Sequence, residues 1–156
     1  MTYLGLVFLL LLVFGRWIAI RRRGHRFVHS WQKGVAAYDT SNWVAAEAAL
    51  RECVRIEPIA APVRRMLGAT LARRNKLAEA EEHLRAGAEL EPRNAGGHLD
   101  MGFFLVSYAP DRIEEAIAAF AKAVECSPQA RAILAAETRL NPAIKDHPKF
   151  RALLQQ

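Results

Sequence analysis

Three glycines and three prolines recur at a nearly fixed interval. Gly34, Gly68 and Gly102 are each 34 residues apart, Pro58 and Pro92 keep the same 34, and Pro128 follows after 36. Between each Gly and its Pro sits a matched small–large pair: Ala46 with Leu50, Ala80 with Leu84, Ala116 with Phe120. A period of this length restricts the fold to a stack of two-helix units. One unit cannot bury its own apolar face, so neighbours must close on one another and the ends need caps. The helical pattern is also legible locally. Leu77, Ala80, Leu84 and Ala88 line one face of a helix, with Glu79, Glu81, Glu82 and Arg85 around the rest. Ile113, Ala116, Ile117, Phe120 and Val124 repeat the pattern, and Asn42 and Asp111 are the expected N-caps.

The net charge of +6 is not spread over this array. Arg16, Arg21, Arg22, Arg23, Arg26 and Lys33 lie in residues 1–33 with no acidic residue among them, and the other 16 basic residues balance 16 acidic ones. A nucleic-acid binder distributes its basic residues over a face of the folded domain, so nucleic acid is not the expected partner.

The basic cluster instead flanks an apolar segment at residues 4–20. Its 17 residues make a helix of roughly 26 Å, the short end of what spans a bilayer. Arg16 opposes insertion by about 2.5–3.5 kcal/mol at most, and its place near one end lets it snorkel. Twelve Leu, Val, Ile and Phe residues favour insertion by about 0.3–0.6 kcal/mol each, which outweighs it. A cleaved signal peptide carries positive charge before its apolar stretch and small residues after. Here Met-Thr-Tyr precedes and three arginines follow, so a retained single-pass anchor is expected. Arg16, Trp17, Arg21, Arg22, Arg23 and Arg26 are the expected headgroup contacts. Basic flanks stay inside, which places the helical domain in the cytoplasm. Residues 1–26 thus form an anchor and basic collar, and residues 27–156 the folded domain.

Over roughly residues 27–128 the chain resembles the tetratricopeptide repeat (TPR) family. Repeat one runs from Phe27 to about Pro58, with Gly34, Tyr38, Ala46, Leu50 and Cys53. Repeat two runs from Ala61 to about Pro92, with Leu67, Gly68, Leu71, Ala80, Leu84 and Gly87. Repeat three begins near Ala95, with Met101, Gly102, Leu105, Ala116, Phe120 and Ala123. The resemblance implies an all-α solenoid of three units in which a small residue lets helix A approach helix B. Ser30 stands where the family often has Trp, and repeat three has two extra residues in its inter-helix turn. Those residues either form a neutral loop or lengthen helix A. Residues 130–140 and 148–154 are expected as a capping helix and a tail helix, with the tail either only capping or folding back into the groove. No Pro lies between residues 1 and 57. The anchor therefore runs into the first repeat, with Gly24 its one weak point.

The resemblance further implies a concave groove lined by the A helices. Mapped here, it offers Trp31, Val35 and Tyr38, then Arg65, Ala69 and Arg73, then Leu99, Phe103 and Val106. The Lys/Asn/Lys/Arg set with which some family members grip a chaperone's C-terminal carboxylate is absent, so that ligand is not expected. An apolar, aromatic groove with two arginines suits an amphipathic helix or extended apolar segment of a protein partner. No catalytic motif, metal-ligand spacing or cofactor motif is present, and Cys53 and Cys126 form no CxxC. Two functions follow: a membrane-anchored adaptor, or a permanent accessory subunit of a membrane complex. The abundance of Arg over Lys and of Ala suggests a GC-rich bacterial source, and the layout resembles bacterial inner-membrane TPR proteins.

Overall fold

The computed structural model describes the backbone of residues 2–138 and 140–155, and side chains from residue 13 onward. The described residues form helices only: α1 (Thr2–Asp39), α2 (Trp43–Ile56), α3 (Ala61–Arg73), α4 (Leu77–Leu90), α5 (Ala95–Tyr108), α6 (Ile113–Cys126), α7 (Gln129–Ala136), α8 (Pro142–Lys145) and α9 (Pro148–Gln155). They pack as antiparallel pairs, α1 with α2, α3 with α4 and α5 with α6, and each pair leans on the next.

The periodic glycines explain the pairing. A Cβ on Gly34 would come within 2.9 Å of Leu50 and one on Gly68 within 2.7 Å of Leu84. One on Gly102 would enter the ring of Phe120. Each helix A is thus drawn against the large residue of its own helix B. Leu50, Leu67, Leu71, Leu84, Leu105 and Phe120 are fully buried along the seam.

The first two turns are alike. Ser41 (φ 56°) and Asn75 (φ 59°) occupy the left-handed region at equivalent positions. Asn42 caps α2 as expected, accepting from the Ala45 amide at 3.2 Å. Repeat three departs from this. Helix α5 has 14 residues where α3 has 13, and the turn occupies 109–112 where its predecessor occupies 74–76. One inserted residue therefore lengthens helix A and one lengthens the turn. Asp111 consequently stands one place too early to cap; Arg112 precedes α6 and makes no side-chain cap.

The capping segment is also shorter than expected. Helix α7 ends at Ala136, and Asn141 caps the short α8 by accepting from the Ile144 amide at 3.0 Å. Phe150 of α9 is buried edge-on to Phe120 at 5.9 Å, so the tail covers α6.

At the other end α1 is a single uninterrupted helix of 38 residues that passes through Gly24 without a break. Among the described residues, no helix is long and apolar enough to cross a membrane. The expected transmembrane segment at 4–20 falls largely on residues up to 12, whose side chains lie outside the described set.

Candidate functional site

The A helices, with Leu84 of α4 and the segment after α7, line a cleft of about 550 Å³. Its floor is apolar, built from Ala69, Ala72, Leu84 and Phe104, and charged groups stand at its margin. Of the nine groove residues expected from sequence, Tyr38, Ala69, Arg73, Phe103 and Val106 line this cleft. The other four do not. Trp31 and Val35 are half-buried on α1, Trp31 packing against the core, and Leu99 is itself core.

Arg65 is diverted sideways. Its Nε donates to Asp100 Oδ2 at 2.6 Å, across to the next helix A. Its stem and guanidinium pass over Gly87 and Gly96, where a Cβ would stand within 2.6 and 2.5 Å of it. Burial pushes the Asp100 carboxyl above its usual range, and the charge and hydrogen bond of Arg65 pull back against that. A committed Arg65 offers no free cation to a ligand carboxylate.

The rim is fixed by an aromatic cluster to which Trp43 of α2 is central. Tyr38 meets Trp43 edge-on at 5.3 Å, and the Arg73 guanidinium lies over the Trp43 ring at 5.9 Å. Arg73 remains exposed while its position is set. On the far side Phe103 is edge-on to Phe120 at 5.3 Å, and Phe104 packs on Tyr108 at 5.5 Å. Glu137 and Leu140, from the segment after α7, close this end. The tail therefore caps the stack and also reaches the cleft. Trp43, Asp100, Glu137 and Leu140 escape sequence reasoning: Trp43 and Asp100 matter through Arg73 and Arg65, 30 and 35 residues away, and Glu137 and Leu140 lie after the third repeat.

The expected headgroup residues divide. Arg16, Trp17, Arg21, Arg22 and Arg26 are exposed along α1. Trp17 stacks on Phe14 at 5.9 Å and carries the Arg21 guanidinium over its ring at 5.3 Å. Arg23 is a structural ligand instead, donating through Nε (3.0 Å) and Nη2 to the carbonyl of Ile56 at the end of α2.

The repeats are locked to one another by ion pairs away from the cleft. Glu47, 5 % exposed, receives Arg51 (2.9 Å), Lys76 (2.8 Å) and Arg74. Burial pushes its carboxyl up, but hydrogen bonds from Lys76, Arg51 and Arg74 together outweigh that and hold it at about 2. Glu81 is the equivalent residue one repeat on and pairs with Arg85 (2.7 Å) and Arg112 (2.8 Å).

No protein-family model and no curated protein matches the chain. Solved structures do match. The MamA RS-1 ArsTM double mutant is 23 % identical with a TM-score of 0.61, covering 66 % of this chain and 57 % of that one. The chain thus spans little more than half of that protein. The Arabidopsis OM64 TPR domain is 20 % identical with a TM-score of 0.64, over 85 % of this chain and 98 % of that one. The first TPR of Spaghetti (RPAP3), bound to the HSP90 peptide SRMEEVD, is 15 % identical with a TM-score of 0.62, over 84 % and 92 %. The fold is that of TPR domains.

Proposed function

We propose that the chain is a membrane-anchored adaptor that captures a protein segment in its concave cleft. The observation that carries this reading is the cleft itself: an apolar floor, pre-set aromatic walls and an exposed Arg73, on a scaffold whose core is already satisfied. Such a surface favours an amphipathic helix or an extended apolar segment bearing an acidic group near Arg73. The Spaghetti domain binds an HSP90 peptide, which supports a protein ligand here. That peptide's own acidic terminus is a poor match for this chain, since Arg65 is taken by Asp100 and the other equivalent positions are uncharged. The reading is one of binding and not catalysis. The anchor at residues 4–20 holds the domain at the bilayer, and the arginines after it favour a cytoplasmic domain, in a bacterial inner membrane.

The alternative of a permanent complex subunit draws on Val13, Phe14, Trp17 and Ile20, each more than half exposed on α1. Partner helices would cover these residues as well as lipid does. Purification in mild detergent separates the two: a stoichiometric complex marks the subunit, a monomer with transient cross-links the adaptor. The cleft is tested by a photo-crosslinking residue at Val106, with Ala78 on the exposed face of α4 as control. A discrete adduct from Val106 only, abolished by Tyr38→Ala with Arg73→Ala, is expected. Equal labelling from both sites removes the cleft from the reading.

A further inference from the structure

Helix α2 runs antiparallel to α1, and the register is explicit: Gly34 faces Leu50, the Phe27 carbonyl faces Cys53, and Arg23 meets Ile56. As α2 ends it is therefore travelling toward the apolar half of α1. The connection at 57–60 follows directly on the Ile56 carbonyl that Arg23 holds, and Ile20 lies one helical turn, about 5 Å, along α1 from Arg23.

This connection is braced at two carbonyls. Arg23 holds the Ile56 carbonyl, and Arg64 of α3 donates to the Pro58 carbonyl at 2.7 Å. The Ala60 amide closes back on the Glu57 carbonyl at 3.3 Å. Between the two struts the loop displays Ile59 at 70 % exposure, more than any other large apolar side chain among the described residues. A loop held at two carbonyls carries a large apolar side chain outward, and the stretch of α1 whose Arg23 braces it also exposes Trp17, Ile20, Arg21 and Arg22.

We infer that the 57–60 loop is a second membrane contact. Ile59 enters the interfacial layer of an anionic bilayer while Arg21 and Arg22 engage its headgroups, and the two points together fix the tilt of the solenoid. The inference rests on the proposed anchor. Charge selects the occupant: residues 1–33 contain six basic and no acidic residues, and Glu57 is the only acid in the loop. Apolar insertion beside a basic cluster is the chemistry of an anionic lipid surface.

The test uses the full-length chain in vesicles of phosphatidylglycerol and phosphatidylcholine. An environment-sensitive fluorophore is attached at Ile59→Cys or, on the opposite edge, at Thr40→Cys. Cys126→Ser removes the partly exposed thiol, and Cys53 stays unlabelled because burial pushes its thiol up to about 11. Flotation reports the anchor, and quenching by brominated lipid reports the loop. The expected result is co-flotation of both proteins, blue-shifted and quenched emission at 59, unquenched emission at 40, and a weaker signal at 59 in phosphatidylcholine alone. Co-flotation with an unquenched probe at 59 overturns the loop contact and leaves the anchor standing. Failure to float overturns the anchor and the inference with it.

Discussion

Glu47 offers the sharpest quantitative test of how the repeats hold together. Its carboxylate is almost fully buried, receives one lysine and two arginines, and sits at about 2 against an ordinary 4.5. A depressed carboxyl stabilises the fold above its unfolded value, and that stability drains away as pH falls from about 4.5 to about 2. The interval corresponds to about 3 kcal/mol as an upper bound. The groups covering Glu47 are themselves long, partly solvated side chains, which screens the effect to about 2 kcal/mol. Glu47→Gln should therefore cost about 2 kcal/mol at neutral pH, because Arg74 and Lys76 lose their counter-charge. The penalty should shrink as pH approaches 3 and vanish near 2, since the wild type is then losing the same term. Urea unfolding of the full chain in mild detergent, followed by far-UV circular dichroism, measures it. Glu79 and Glu81 are also held below the usual carboxylate range by arginines and contribute their own acid sensitivity. The informative quantity is thus the wild-type minus variant difference at two pH values. A difference below about 0.5 kcal/mol at neutral pH, or one that stays constant with acid, would refute the reasoning.

Three further outcomes are expected from single substitutions. Gly102→Ala gains about 1 kcal/mol of helix propensity but drives a methyl into the fully buried ring of Phe120, an overpacking cost of about 1–3 kcal/mol, so its melting temperature should fall. Gly24→Ala meets nothing within 4 Å on the same helix type, so it should gain about 1 kcal/mol of helix stability and show higher ellipticity. Phe150→Ala empties the space against Phe120 and uncovers α6, and should cost about 3–5 kcal/mol by thermal or urea unfolding.

The array was legible because its determinants are local and repeated. Gly34, Gly68 and Gly102 each answer to a large residue about half a unit later, so a period in the sequence is a contact in space. The cleft was legible only in part. Tyr38, Ala69, Arg73, Phe103 and Val106 stand at the groove positions that the TPR resemblance implies, whereas Arg65 stands at another of them and is withdrawn by Asp100, a partner 35 residues away on the next helix. Asp111 failed as a cap because the turn of repeat three is one residue longer and α6 begins after Arg112, a change in turn geometry that composition does not carry. Arg23 belonged to a uniform arginine run until α2 brought a terminal carbonyl to it.

The ion-pair pattern also changes after repeat two. Glu47 with Arg51 and Glu81 with Arg85 stand at equivalent positions in repeats one and two, and each glutamate reaches the basic residue just before the following helix B, Lys76 or Arg112. At the corresponding place in repeat three, allowing for the two inserted residues, the chain has Ile117 and Ala121. Ile117 is buried, and α9 contributes Leu153 beside it. A fourth unit would find no carboxylate to receive its cation, while the apolar surface left in that place is what the tail needs. The same tail brings Leu140 to the cleft, which Tyr38 also lines. The exchange of a charged pair for an apolar one on α6 thus goes with the packing of the tail against it, and the same tail reaches the cleft.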